Sequence, residues 1–540
     1  MKVKSLFCAL LLVVVSVLLF GCGPMSDGEK KTDRPDNTDV ETEPETGNSQ
    51  SDGFALVRNG VAVRIVHPLG GDGTERILAE KIAGYIGSMT GVTPEVSDDY
   101  LKNGASYNKK TVEILIGNTG YSESETAYKE LAYGASAIRF VGNKLVFVGI
   151  DVDDLVLKFV SACKKTMDAG KNIVLPSDFR LEIAAPEALR AIPAVEVGTG
   201  EYPSVLYSGD NCYQLKFSNP VTEEDYTNYL GKLEQAGYTR YTENTLGKNR
   251  FATYTNDSVA VSIALTARSR MTVLAEPLAN TDLTMLKPEN NNYDKANASQ
   301  ETLFTMLGLL ENQTTRDKAA DDTGYLDDET VNGMSFIVRL SDGSFLINDG
   351  GHSSEWNADR LYAVLRQQAP NPDNIVIAAW IVTHAHGDHV GILTSFGKKY
   401  GESVTVERLI YNFPDEELTK SADCGDSKAE AITSIKAYFK GVPVTKAHAG
   451  QCFYIRNAKI TILNTLELMQ AVTNIYTMSS TVWYYNDCSL NYILEVEEKK
   501  ILLLGDAGVT ACQVLRTLYE GSGVLECDIV QAAHHGVNGG

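Results

Sequence analysis

Six residues, His384 to His389, contain three of the chain's eight histidines and one aspartate: His384, His386, Asp388 and His389. They follow the apolar run Ile375-Val376-Ile377-Ala378-Ala379-Trp380-Ile381-Val382, which Asn371-Pro372-Asp373-Asn374 bounds upstream. Such a run reads as a buried strand. Where extended backbone continues past its end, residues two apart point the same way, so His384 and His386 can share one ion. Gly387 then permits a sharp turn. Asp388 and His389 fall in a helix-opening position ahead of Val390, Ile392 and Leu393, and point toward a second ion. Neutral imidazoles with a carboxylate suit zinc, at about 2.0–2.2 Å per bond.

Three further segments have the punctuation of strands that end in chemistry. Met334–Leu340 and Ser344–Ile347 form a hairpin pattern around Ser341-Asp342-Gly343 and lead into Asn348-Asp349-Gly350-Gly351. Lys500-Ile501-Leu502-Leu503-Leu504 runs into Gly505-Asp506, and Cys527-Asp528-Ile529-Val530-Gln531-Ala532-Ala533 runs into His534-His535-Gly536.

The His-x-His-x-Asp-His string resembles the signature of the metallo-β-lactamase fold superfamily, whose members are mostly two-metal hydrolases. The resemblance implies an α/β fold, an αββα sandwich over residues 300–540 preceded by two small α+β domains, with metal ligands at one edge. The implied ligands are His384, His386, Asp388, His389, a bridging Asp506, and His534 or His535. Asp349 matches an aspartate that braces the metal loop by hydrogen bonding. The implied cofactors are two divalent ions, zinc or alternatively manganese, which activate water for attack on phosphorus or carbonyl carbon while Asp388 orients it.

The His-His-Gly ending, with Asn486-Asp487-Cys488-Ser489-Leu490, is similar to the branch that includes competence metallohydrolases and phosphorylcholine esterases. That similarity favours a phosphodiesterase. One histidine of the pair would ligate metal and the other hydrogen-bond a substrate oxygen; sequence leaves open which. Lactone, lactam or ester hydrolysis on the same site is the alternative within enzymes, and a non-catalytic surface-binding lipoprotein is the alternative outside them. Many superfamily members carry a further metal histidine before the bridging aspartate, and His448 alone occupies that interval here. The family also normally continues through more strand and helix than follows His535, so the chain is expected to be a fragment.

Upstream, Lys2 and Lys4 precede the apolar span Leu6–Phe20 and then Gly21-Cys22. A span this short suits a signal-peptide core rather than a crossing helix. Leu19-Phe20-Gly21-Cys22 resembles a bacterial lipobox, which implies lipidation of Cys22, export, and a membrane anchor facing outside the cytoplasm. Residues 23–52 lack aromatics and read as a flexible tether. Residues 54–185 alternate strand and helix, with strands read at Ala62–Val66, Val112–Ile116 and Lys144–Val148 and helices at Ile77–Thr90 and Asp151–Lys165. The stretch Ala79–Gly91 with Ile114-Leu115-Ile116-Gly117 resembles the small α/β domain that precedes some glycoside hydrolase barrels, implying cell-wall or polysaccharide surroundings.

Residues 190–290 form a second α+β unit, with a linker over Pro277–Ser299. Its tyrosines (Tyr202, Tyr207, Tyr213, Tyr238, Tyr241, Tyr254) read mainly as packing residues, with sugar stacking as the alternative. The 48 basic and 70 acidic residues give a net charge of −22, which disfavours extended nucleic-acid binding but not small or polymer-attached phosphodiesters. The nine cysteines show no Cys-x-x-Cys spacing, so no cysteine metal site is indicated.

The leader reading predicts that bacteria expressing the full gene incorporate labelled fatty acid into the protein, and that Cys22→Ser abolishes the label. Labelling that persists in Cys22→Ser would refute the lipobox assignment.

Overall fold

The computed structural model describes residues 53–69, 74–101, 105–149, 152–199, 203–217, 219–283, 298–308, 334–415, 428–472 and 485–536. The leader with Cys22, the tether at 23–52 and residues 284–297 of the expected linker lie outside them. Gln50–Gly540 form one compact unit.

Between Phe54 and Ile183 the chain builds two sheets, one of three strands and one of six. Helices Thr74–Thr90 and Val152–Thr166 bury Leu78, Ile82, Ile86, Leu155 and Phe159 against Ile114, Ile116, Leu145 and Phe147 of the larger sheet. The single strand expected over Ala62–Val66 is a finding to correct. Val61–Ala62 pairs with Phe54–Arg58 in the small sheet, whereas Ile65–His67 pairs in the large one. The apolar pattern is continuous because both pieces are packed; the break lies in the hydrogen-bond ladder, which one strand cannot extend into two sheets at once.

Six antiparallel strands between Ser204 and Pro277 carry helix Glu223–Gln235 on one face. Thr222 and Asp225 close that helix with a capping box. Tyr226, Tyr229, Leu230 and Leu233 recur at helical spacing and pack on Leu215, Phe217, Val261 and Val273. Tyr238 and Tyr254 join the same core, so these two serve packing.

The C-terminal part is an αββα sandwich, as the family resemblance implies. A seven-stranded sheet spanning Leu303–Lys446 faces a five-stranded sheet spanning Cys452–Val530. Val338, Leu346, Ile381, Ile410, Ile460, Ile462, Tyr492 and Leu503 fill the space between them. Helices Glu355–Gln368, Gly387–Tyr400 and Lys428–Tyr438 cover the outside of the first sheet, and helices Leu466–Val472 and Val509–Tyr519 that of the second. Strand Ile375–Ile381 is buried on both faces, which is why it reads as an unbroken apolar run. Its pairing with Phe345–Asp349 shifts register between Ile377 and Ala379, so Ile377 and Trp380 face the helices while Ile381 faces the sandwich core.

The free face of the middle sheet rests on the second sheet's helices. Phe251 and Ala264 pack with Leu466, Met469, Leu502 and Leu515. Polar contacts lock the seam: Gln214 Nε2 donates to the Glu467 carbonyl (3.1 Å) and Asn249 Nδ2 to the Leu518 carbonyl (2.8 Å). At its centre, buried His448 lies between Glu276 of the middle sheet (Nε2 to Oε1, 2.5 Å) and Glu467 (Nδ1 to Oε1, 3.5 Å). Burial alone would strip its proton, but the two carboxylates outweigh it and raise the His448 pKa to about 9. His448 is thus an interface cation and joins neither metal-ligand group described below.

A histidine whose folded pKa exceeds its ordinary value of about 6.5 stabilises fully below that pH. The contribution is lost as pH rises through about 9. Thermal unfolding followed from neutral to alkaline pH should show a decline that His448→Gln flattens; parallel profiles would contradict the assignment. Glu276→Ala, which leaves Glu467 as the one buried carboxylate beside the His448 and Lys446 cations, should cost about 3–5 kcal/mol.

Candidate metal centre

Four strand ends meet at one edge of the sandwich. Phe345–Asp349 stops at Asp349, Ile375–Ile381 leads to Thr383 and His384, Lys499–Leu503 leads to Gly505-Asp506, and Ile529–Val530 leads to the turn Ala533–Gly536. Helix Gly387–Tyr400 opens at the same edge and presents Asp388 and His389 from its first turn.

Asp349 is fully buried and sits at φ 53°, a left-handed conformation that aspartate tolerates better than most residues. Its Oδ1 accepts from the Thr383 N–H (2.7 Å), and the Thr383 hydroxyl also donates to the carboxylate (3.1 and 3.0 Å). His389 Nδ1 lies 3.0 Å from its Oδ2. A carboxylate only accepts, so that nitrogen carries the proton and the Nε2 lone pair is left for the centre. Thr383 spends its hydroxyl proton on Asp349, so His384 Nδ1, 3.1 Å away, donates to it. The Nε2 of His384 is thereby turned inward as well.

The side chains form two groups with Asp506 in both: His384, His386 and Asp506, and Asp388, His389, Asp506 and His535. In the first, His384 Nε2 and His386 Nδ1 face each other at 3.1 Å and His384 Nε2 lies 3.8 Å from Asp506 Oδ2. Two bonds of about 2.0–2.1 Å at 90–109° put ligand atoms about 2.9–3.4 Å apart. In the second, His389 Nε2 lies 3.1 Å from Asp506 Oδ1 and 3.9 Å from Asp388 Oδ2, and His535 Nε2 lies 2.9 Å from Asp388 Oδ2 and 3.3 Å from Asp506 Oδ2.

The donor set fits divalent ions. His389 Nε2 and Asp506 Oδ1 are both buried and lack the alignment of a hydrogen bond despite their proximity. The electrostatics say the same. Burial opposes charge on Asp388 and Asp506, yet the hydrogen bond from His535 and the charge on His389 hold Asp388 well below the usual carboxylate range. His389 and His535 do the same for Asp506. His389 is raised far above an ordinary histidine against its own burial, chiefly by Asp349 and Asp506. His535 is raised to about 9, burial being outweighed by its bonds to Asp388 and Asp506. His384 goes the other way, lowered by burial and by the charge on His389. The grouped carboxylates favour positive charge beside them, which is the charge that divalent ions would bring.

Of the residues singled out from sequence, His384, His386, Asp388, His389, Asp506 and His535 converge, with Asp349 behind them. His534 does not: it falls outside both ligand groups, and its Nε2 lies 3.2 Å from Asn486 Nδ2. Both histidines of the pair have left-handed backbone (φ 49° and 54°), which sends their rings apart, to centroids 6.0 Å from each other. Sequence reasoning gave no role to Tyr485 or Ser489. The Tyr485 ring stacks on His386 at 5.1 Å, and Ser489 Oγ accepts from the Asp506 N–H (3.1 Å) while lying 3.3 Å from His384 Nδ1. Ser489 was marked only by its place in the Asn486–Leu490 segment; Tyr485 carried no signal. Gly505 is constrained by close approach: at φ 57°, a Cβ there would stand 2.8 Å from the Thr383 side chain.

Residues 329–433 match the model of the metallo-beta-lactamase superfamily, so the chain carries a domain of that superfamily. Similar solved structures include the metallo-beta-lactamase fold protein YhfI from Bacillus subtilis (12% identity over 38% of this chain and 63% of that one, TM-score 0.22). Zn(2+)-bound PqqB from Methylobacterium extorquens shares 12% identity over 38% of this chain and 64% of its own, with a TM-score of 0.23. CmlA, a diiron beta-hydroxylase from Streptomyces venezuelae, shares 13% identity over 31% of this chain and 27% of its own, with a TM-score of 0.18. The chain thus spans less than two thirds of each of these proteins. No curated protein matches it.

Asp349→Asn keeps a residue suited to left-handed backbone but lets the side-chain amide present a donor to His389. Metal affinity measured by chelator competition should fall about 10–100-fold, as when other outer partners of metal ligands are lost. Unchanged affinity would show that Asp349 does not orient the ligand.

Proposed function

We propose that this metallo-beta-lactamase superfamily domain is a metal-dependent hydrolase that acts on phosphodiesters outside the cytoplasm. The observation that carries this reading is the sharing of Asp506 by two ligand groups, which suits a pair of ions held side by side. When bound, such a pair supplies Lewis acidity and a water made nucleophilic at neutral pH. The chain's residues supply the rest. Asp349 and Thr383 fix the rings of His389 and His384. Asp388, on a helix start and hydrogen-bonded to His535, orients the attacking water. His534, next to the centre and paired with Asn486, is the group for a substrate oxygen. No serine or cysteine nucleophile is needed.

Phosphodiesters are favoured by the resemblance of His534-His535-Gly536 to the phosphodiesterase-rich branch. Choline-phosphate groups on surface polymers fit an enzyme exported by the Met1–Cys22 leader and held to a membrane through Cys22 and the 23–52 tether. Zinc is the preferred ion and manganese the alternative.

The metal-loaded protein should hydrolyse bis(p-nitrophenyl) phosphate or p-nitrophenylphosphorylcholine and lose that activity to chelation. Asp388→Asn should lower kcat by on the order of 10²–10⁴-fold, as for loss of a positioned proton-handling group. Turnover of lactones, lactams or carboxylic esters alone would overturn the phosphodiester reading. Full metal loading without turnover of any of these would overturn the hydrolase reading in favour of a surface-binding role.

A further inference from the structure

We propose that Gln531 is a positioning residue for the second ligand group, the one formed by Asp388, His389, Asp506 and His535. It sets how far Asp506 stands from His535 and so governs one ion of the pair; the inference rests on the paired-ion reading above.

Past Leu503 the chain leaves the five-stranded sheet and turns at Gly505 with φ 57°. The backbone groups of residues 504–506 thereby lose their ladder partners, and such groups need others when they are buried. Side chains supply them. The Leu504 carbonyl accepts from Asn491 Nδ2 (2.7 Å), and the Asp506 N–H donates to Ser489 Oγ (3.1 Å). The remaining two groups go to one residue. Gln531 Oε1 accepts from the Leu504 N–H (2.8 Å), and Gln531 Nε2 donates to the Gly505 carbonyl (2.9 Å). The same nitrogen also donates to the Ala532 carbonyl. Two carbonyls on the nitrogen side and one N–H on the oxygen side fix the orientation of the amide. Spent on backbone in this way, the amide is not itself a ligand.

Gln531 stands on the segment that carries His535, four positions ahead of it. The strand of that segment, Ile529–Val530, pairs with Lys499–Leu503 at two positions. Ile529 and Val530 are 43% and 57% exposed, so hydrogen bonds rather than packing of this strand hold the segment in place. The Gln531 N–H continues the ladder to the Leu502 carbonyl (2.9 Å), and the His534 N–H reaches the Gly505 carbonyl (3.1 Å). Between these two bonds the Gln531 side chain closes the gap. It ties the turn of Asp506 to the turn of His535, whose Nε2 comes within 3.3 Å of Asp506 Oδ2.

The first ligand group is held by other means. Thr383 sets the His384 ring, Tyr485 stacks on His386, and Ser489 holds the Asp506 backbone. Losing the Gln531 amide therefore loosens His535 against Asp506 and leaves His384 and His386 in place. Asp506 serves both ions; Gln531 serves one.

The test is titration of the metal-free full-length protein with zinc, followed by calorimetry, and with cobalt(II), whose visible absorption reports ligand geometry. Wild type should show two binding events. Gln531→Met keeps the side-chain volume and removes the amide; one event should stay unchanged and the other weaken about 10–100-fold, as when outer partners of metal ligands are lost. Gln531→Asn, which keeps the amide but shortens its reach, should weaken the same event by a smaller factor. Asn249 is the control, because its amide also bonds three backbone groups, the Leu246 and Leu518 carbonyls and the Ala267 N–H, at the seam with the middle sheet. Asn249→Leu should lower Tm and leave both events and the cobalt spectrum as in wild type. Two wild-type events in both Gln531 variants would overturn the proposal and leave the paired-ion reading standing. Equal weakening of both events, or the same change in Asn249→Leu, would also overturn it, since general loosening would then account for the effect. A wild-type chain that saturates with one ion would overturn the proposal and the paired-ion reading together.

Discussion

A single buried carboxylate, Asp349, holds the metal edge together. It binds the backbone and hydroxyl of Thr383 on one strand end and the ring of His389 on the neighbouring helix, and it does so from the end of a third segment. Trp380 Nε1 in turn donates to the Asp349 carbonyl at 2.9 Å, so the residue is fixed through its backbone as well. Because a carboxylate accepts and never donates, this one group sets which nitrogen of His389 faces inward. Through Thr383 it sets the same for His384. A left-handed φ at Asp349 is the conformational cost of aiming the carboxylate there, of order 1–3 kcal/mol where a residue is held in such a region, and it is borne by the packed strand on either side.

Around that anchor the structure separates two uses of buried charge. At the metal edge, Asp349, Asp388 and Asp506 gather around histidines, and their charges raise His389 and His535 above the ordinary histidine range. At the seam with the middle sheet, Glu276, Glu467, Lys446 and His448 compensate one another within the chain. The first arrangement gains by taking cations; the second is closed. The seam also makes the middle sheet part of the body that carries the ligand groups, since its Phe251 and Ala264 complete the apolar layer over the second sheet.

How much of this the sequence disclosed depends on how local the determinants are. His384, His386, Asp388 and His389 lie within one strand–loop–helix connection, so two backbone periodicities suffice to divide them between ions. Asp349 and Asp506 were readable as polar punctuation at the ends of apolar runs. His448 was not readable: Glu276 is 172 residues away and belongs to a different sheet, so no spacing rule reaches it. The choice between His534 and His535 turned on two consecutive left-handed residues, a conformation that histidine propensity does not signal. The break within Ala62–Val66 was hidden because packing stays continuous where the chain changes sheets.

The central claim is that one carboxylate, Asp506, serves two metal sites at once. Metal analysis of the purified protein and of Asp506→Asn tests it most directly. The account predicts about two divalent ions per wild-type chain and the loss of both, or near loss, in the variant. Retention of a full complement in Asp506→Asn would contradict it, as would a wild-type chain that saturates with a single ion.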